Sequence, residues 1–334
     1  MQLLVLSGRH VHDLLGYREC AEVMREALAD LARGRIQQPL RTIVRPRDAA
    51  GFMALMPSYA PADDGAEAGY ALKAICISPG NPALGKDAHQ GGVLLFAAAT
   101  GEPLALVNAS AVTEIRTAAT SAVATSLLAR PGAAELAIIG AGVQARAHAH
   151  AVAATRPLTG IRIASRDLAR TREVAAALAG ELGTRVTAHD AVPEAVAGAG
   201  IVVTATSSPR PVLRREWLAS GTHVNAVGAC VPGDREIDTA TMAEAAIFAD
   251  SRESVRSEAG DYLLAQQDLA ASGRELSPVR AELGELLLGT ALGRADDDEI
   301  TVFESLGLAA EDLAAARYVY AEAKRLGVGA PADF

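Results

Sequence analysis

Apolar and polar positions divide the chain into stretches of different texture. Between residues 135 and 251 short apolar, β-branched runs alternate with longer stretches of helical period. That is the pattern of strands buried on both faces and joined by crossover helices. The runs predict strands over 136–139, 161–164, 185–188, 201–204, 223–227 and 246–249, with a further strand at 300–303. Ahead of them, residues 38–107 are punctuated by Pro, Gly and Asp and predict antiparallel strands such as 71–78 and 92–98. Helices are expected over 17–33 and 117–128, the second stopped by Arg130-Pro131-Gly132. After the strand-rich middle, 277–289 and 311–326 are expected to be helical, and the last helix is expected to return to the first domain.

The fold class that follows is α/β, a Rossmann-type doubly wound parallel sheet with an N-terminal α+β domain. At 334 residues the chain exceeds what one core usually supports. The expected division is 1–130 with 318–334 for the substrate-binding and dimerisation domain, and 131–317 for the dinucleotide-binding domain. Half of the residues are hydrophobic and 21% are charged, which excludes a disordered or fibrous chain. A formal net charge of −9 argues against nucleic acid and anionic membranes as partners. The first residues lack the basic start and long apolar stretch of a signal peptide, so a cytoplasmic location is expected. Cys20, Cys76 and Cys230 are widely spaced, which indicates neither a disulfide framework nor a metal site, and no metal is expected. His148 and His150 stand two apart, on different faces of a helix.

The richest local signal is Gly140-Ala141-Gly142-Val143-Gln144-Ala145, which follows the apolar run 136–139. Gly140 permits a tight turn, Gly142 admits a pyrophosphate to the backbone, and Ala145 lets helix and strand pack closely. A helix beginning near Val143 would present unpaired N–H groups and its positive dipole end to the diphosphate. Ligands of such sheets bind at the carboxyl ends of the strands. The candidate cofactor residues are therefore Gly140, Gly142, Val143, Gln144, Ser165, Arg166, Thr204, Thr206, Val227 and Gly228. Ser165-Arg166, followed by Arg170, suits a ribose 2′-phosphate and favours NADP(H), while neighbouring Asp167 leaves NAD(H) open.

Several strings in order resemble the ornithine cyclodeaminase/mu-crystallin family over nearly the whole chain. They are Leu55-Met56-Pro57, the run 69–73 ending in Lys73, His89-Gln90-Gly91, Glu114-Ile115-Arg116-Thr117, the glycine turn, the run 223–228, and 301–307 ending in Gly307. The resemblance implies a nicotinamide-dependent enzyme and a homodimer built through the N-terminal domain. It also implies that Lys73 and Arg116 are catalytic and receive a substrate carboxylate, with Arg41 in a similar role. That agrees with the chemistry, since Arg offers a planar fork to a carboxylate and a partly buried Lys can donate a proton to an imine. His89 and Gln90 are candidates for a polar wall of the substrate site or for a structural hydrogen-bond pair. Arg45, Arg47 and His89 leave a second substrate carboxylate open.

The chain departs from the family pattern at Val227-Gly228-Ala229-Cys230. Ornithine cyclodeaminases carry an aspartate where Cys230 stands, and a thiol, ordinarily protonated at neutral pH, replaces neither its charge nor its basicity. The expected activity is therefore reduction of an α-imino acid to an α-amino acid by hydride transfer to C=N, with Cys230 near the substrate. Alanine dehydrogenase-like chemistry, cyclodeamination and non-enzymatic binding of a small ligand are the alternatives that the resemblance offers.

Overall fold

A computed structural model describes residues 2–62 and 67–334. The chain forms two units, Met1–Arg116 with Gly307–Phe334, and Thr117–Leu306. The expected boundaries at 130/131 and 317/318 differ from these. The helix before the first boundary is shared between the units, and the last helix packs entirely within the first, so a cut at 317/318 would divide it.

The first unit begins with β1 (Gln2–Leu6), α1 (Gly8–Leu14), α2 (Tyr17–Ala32), β2 (Thr42–Val44), β3 (Phe52–Ala60), β4 (Gly69–Ile77), β5 (His89–Ala97) and β6 (Pro103–Asn108). Strands β2 to β6 form an antiparallel meander. Helix α3 (Ala109–Leu128) follows directly and starts eight residues before its expected beginning. The Asn108 side chain accepts the Ala111 N–H at 2.9 Å and caps its first turn. Fifteen of the helix's twenty positions are buried, so its sequence lacks the amphipathic period by which a surface helix is read.

The second unit continues with β7 (Glu135–Ile139), α4 (Val143–Thr155), β8 (Gly160–Ala164), α5 (Leu168–Leu182), β9 (Val186–His189), α6 (Val192–Val196), β10 (Ile201–Thr204) and β11 (His223–Ala226). It closes with α7 (Thr239–Glu244), β12 (Ala246–Ala249), α8 (Arg252–Glu258), α9 (Gly260–Ala271), β13 (Ala281–Glu282), α10 (Leu283–Leu287) and β14 (Thr301–Glu304). The strands lie in the order β13-β12-β14-β11-β10-β7-β8-β9, and every pairing is parallel. Apolar clusters line the two faces, one around Ile138 and Ile163, the other around Val202 and Val224. The strand order reverses on either side of β7, which makes the β7/β10 boundary a topological switch point. The helix expected over 277–289 is reduced to α10, because Ala281 and Glu282 pair with β12 and hold the backbone extended.

The chain ends with α11 (Ala309–Leu326) and β15 (Ala330–Asp333), which rejoin the first unit. The seven-stranded sheet runs β15-β1-β6-β5-β4-β3-β2. Helix α11 packs on α2 and on β3, β4 and β5. Alternate residues of β4 (Gly69, Ala71, Lys73 and Ile75) are buried on that side. The row is apolar except for Lys73.

Candidate active site

The period-2 geometry of β4 sends Lys73 inward with Ala71 and Ile75, and α11 brings its first turn to meet it. Lys73 is 3% exposed, and its Nζ lies 2.5 Å from Oδ2 of Asp312. Arg116, on α3 and 5% exposed, donates from Nε to the other oxygen of Asp312 at 3.0 Å. Its terminal nitrogen donates to Glu311 Oε2 at 2.9 Å. Both acids stand in the first turn of α11, where the positive end of the helix dipole favours them. Arg41, half-buried, donates to the carbonyl of Gly307 at 2.7 Å. Gly307 has φ +77°, and a Cβ there would stand 2.5 Å from the Arg116 guanidinium, so a glycine is required for the close approach.

Three cations, Arg41, Lys73 and Arg116, thus gather around two carboxylates. Burial lowers the Lys73 pKa from 10.5 to about 8, against the pull of Asp312 and with further lowering by Arg116 and Arg41. Burial also raises the Glu311 carboxyl above its ordinary range, although Arg116 opposes that shift. The sequence reading chose the cations and missed Glu311 and Asp312. The available signal was the pair of acids opening an apolar helix.

The other expected substrate residues are less committed. His89 is exposed at the start of β5, and its pKa is lowered by partial enclosure and by the positive fields of Lys73 and Arg116. The Ser110 hydroxyl donates to its carbonyl. Gln90 is exposed and donates to the Asp87 carbonyl at 3.1 Å, a bond of the turn before β5. Arg45 lies over the Phe52 ring, 4.3 Å from its centroid, and is exposed together with Arg47.

In the second unit the expected cofactor residues follow the ends of four adjacent strands, β8, β7, β10 and β11. Gly140 has φ +126°, and a Cβ on it would collide with the Ala205 carbonyl, so the turn rests on the segment leaving β10. Gly142 opens α4 without a side-chain cap, and nothing lies within 4 Å of where its Cβ would be. This is an open cradle at a helix N-terminus, suited to a phosphate group. Ala145 is fully buried, Val143 is exposed, and Gln144 is half-buried. The residues present therefore fit a dinucleotide.

At the end of β8, the Ser165 hydroxyl is shared with Thr171 at 2.7 Å and with the Asp167 carbonyl at 3.1 Å. Asp167 caps α5 by accepting the Arg170 N–H at 3.0 Å. Arg170 Nε donates to the Ala141 carbonyl of the glycine turn at 3.2 Å. Arg166 is exposed and makes no ion pair among the described residues. Thr204 is fully buried at the end of β10 and offers no exposed hydroxyl, so it lies beneath the expected surface; Thr206 is half-exposed. Val227 is buried and Gly228 is half-exposed at the end of β11. Cys230 is half-buried, its Sγ 3.3 Å from the Val227 carbonyl and 3.5 Å from that of Ser305.

The sequence model of the ornithine cyclodeaminase/mu-crystallin family matches residues 1–326. The chain belongs to this family. It is 38% identical over 297 residues to the ketimine reductase mu-crystallin of Mus musculus, covering 88% of each chain. It is also similar to the solved Thermococcus litoralis Δ1-pyrroline-2-carboxylate reductase in complex with NADH and L-proline. That match has 33% identity and a TM-score of 0.93, over 98% of this chain and 99% of the other. An archaeal alanine dehydrogenase dimer with bound NAD matches with 29% identity and a TM-score of 0.90, over the whole of both chains. The α/β fold with its parallel dinucleotide-type sheet is shared with these family members. No helix among the described residues is long and apolar enough to cross a membrane.

Proposed function

We propose that this family member is an NAD(P)H-dependent reductase of α-imino acids, forming the corresponding α-amino acid. The observation that carries the reading is the buried cluster in which Lys73 and Arg116 meet Asp312 and Glu311, with Arg41 on the adjoining Gly307 carbonyl. A substrate carboxylate would be held by the Arg116 fork and Lys73, with Arg41 at the edge. Gly140 to Ala145 would hold the diphosphate of a reduced nicotinamide dinucleotide, whose chemistry would supply the hydride for the C=N carbon. Lys73, poised near pKa 8, holds the proton that the substrate nitrogen takes. Similarity to reductases of ketimines and pyrroline-2-carboxylate supports the same chemistry. Cys230, whose Sγ is turned to the Val227 and Ser305 carbonyls and which carries no carboxylate, supports reduction over cyclodeamination.

The reading also favours a substrate with one carboxylate. Arg45 is engaged on Phe52, and the imidazole of His89 is biased towards its neutral form. The test is to offer pyrroline-2-carboxylate, and 2-oxo acids with methylamine, while following loss of the reduced nicotinamide's absorbance. Reduction is expected with carboxylate-bearing imines and not with imines lacking that group. Because the reaction needs protonated Lys73, the rate should fall as pH rises through about 8, and Lys73→Met should remove that limb. Equal rates on imines without a carboxylate, or a Lys73→Met profile like the parent's, would refute the assignment.

Exposed, unpaired Arg166 supports a 2′-phosphate, and with it NADP(H). Arg166→Ala should weaken NADPH binding more than NADH binding by about 1 kcal/mol or more, the value of a charge-assisted hydrogen bond. Equal losses in parallel titrations would assign Arg166 another role.

A homodimer through the first unit is proposed as well. On the sheet face opposite α11, Pro57, Leu72, Leu94 and Leu106 fall in register across four strands. Tyr70 and Leu106 are exposed there. An apolar row of this kind is commonly covered by a partner, and a second copy of this chain is the partner proposed; the similar archaeal alanine dehydrogenase is itself a dimer. Sedimentation at micromolar concentration should give a dimer; a monomer would contradict the proposal.

A further inference from the structure

The second unit hides a group of acids that neither the hydride chemistry nor the carboxylate cluster uses. Glu236, Asp250, Asp261 and Glu304 are all 2% exposed or less. Asp250 and Glu304 follow or end the neighbouring strands β12 and β14, Glu236 lies in the segment after β11, and Asp261 is on α9. Burial, then the nearby carboxylates Asp261, Asp250 and Glu236, drives the Glu304 pKa well above its ordinary range.

Glu236 stands apart within the group because both of its oxygens are spoken for. Oε1 accepts the backbone N–H of Thr206 at 2.6 Å, and Oε2 accepts that of Gly228 at 2.7 Å. One carboxylate therefore fastens the segments leaving β10 and β11. The approach is so close that a Cβ on Gly228 would stand 2.6 Å from Glu236 Cδ and would collide with the Thr206 carbonyl. Glu236 is itself seated: Oδ1 of Asp261 accepts the N–H groups of Glu236 and Ile237 at 2.7 and 2.8 Å. The segment it holds on the β10 side is the one on which the Gly140 turn rests, through Ala205.

We infer that Glu236 is a positioning residue for the dinucleotide site, its carboxylate tying Thr206 to Gly228 so that both strand ends are preset before a cofactor arrives. The inference rests on the dinucleotide reading above and names a residue that touches no ligand itself. Only a carboxylate of this length does the work. A glutamine offers one acceptor and turns its NH2 toward the other N–H, leaving a buried donor unsatisfied. An aspartate cannot span both.

The experiment combines cofactor titration with hydrogen exchange. Wild type is titrated first with NADH and NADPH by nicotinamide fluorescence; no binding there would fail the dinucleotide reading and not this inference. If wild type binds, Glu236→Gln should raise the Kd of the preferred cofactor roughly ten- to hundredfold, while KM for the imino acid stays within about twofold. In the ligand-free wild type, peptides spanning 204–209 and 226–231 should already be protected from exchange, and in Glu236→Gln both should exchange faster. A variant that melts earlier yet binds cofactor as the parent does would show a structural role only and overturn the proposal. Should the variant fail to fold, fast exchange of both segments in ligand-free wild type would overturn it as well.

Discussion

Replacing Arg116 with leucine should lower kcat/KM for the imino acid by roughly thirty- to several-thousandfold, the counterpart of the 2 to 5 kcal/mol lost when one partner of a buried charge pair is removed. The guanidinium serves two sets of anions at once. It holds Asp312 through Nε and Glu311 through a terminal nitrogen, and in the proposed complex it also faces the substrate carboxylate. Leucine would leave two buried acids with Lys73 as the nearest cation, which adds a folding cost of about 3 to 5 kcal/mol. A lower melting temperature should therefore accompany the kinetic loss. Substrate recognition is separable from stability, because cofactor affinity should stay within about twofold while KM for the imino acid rises. Arg116→Lys keeps the charge but lacks the fork that reaches both acids, so it should restore melting more than it restores kcat/KM. If Arg116→Leu changes kcat/KM by less than about threefold, Arg116 is a structural cation and the substrate carboxylate binds elsewhere.

Replacing Gly142 with valine should abolish dinucleotide binding and leave the fold intact. The glycine sits at φ −94°, a backbone region open to any residue, and nothing lies within 4 Å of its absent Cβ. The branched side chain therefore has room beside the protein's own atoms and projects where a pyrophosphate would meet the first N–H groups of α4. Gly140 is the contrasting case: φ +126° and the Ala205 carbonyl forbid a side chain there in any state, so Gly140→Val should unfold the turn. Calorimetric titration together with thermal melting of both variants distinguishes the two glycines. Unchanged affinity in Gly142→Val would place the diphosphate elsewhere.

The glycine turn proposed for the dinucleotide was legible in the sequence because its geometry is local. Six consecutive residues set the bend, the open cradle and the small helix contact, and no distant partner is needed to read them. The strands of the parallel sheet were legible for a related reason, since burial on both faces leaves apolar runs that any window detects. Helix α3 was read eight residues short because burial all round removes the period that marks a helix. The stretch 277–289 was misread because its extended part exists only by pairing with β12, some thirty residues back in the chain.

What the sequence determined by itself is the set of candidate groups: a glycine turn, two cations at Lys73 and Arg116, an arginine after β8, and Cys230 after β11. Only the tertiary structure decided how those groups are charged and held. Asp312 and Glu311 are about two hundred residues from Arg116 in the chain yet within 3.0 Å of it in space. Whether Lys73 is an ordinary surface lysine or an acid poised near neutrality depends on its burial beneath α11. The grip of Glu236 on Thr206 and Gly228 likewise spans separate loops. Such contacts leave no trace in spacing or period, because a buried ion pair is specified by how elements pack and not by their order along the chain.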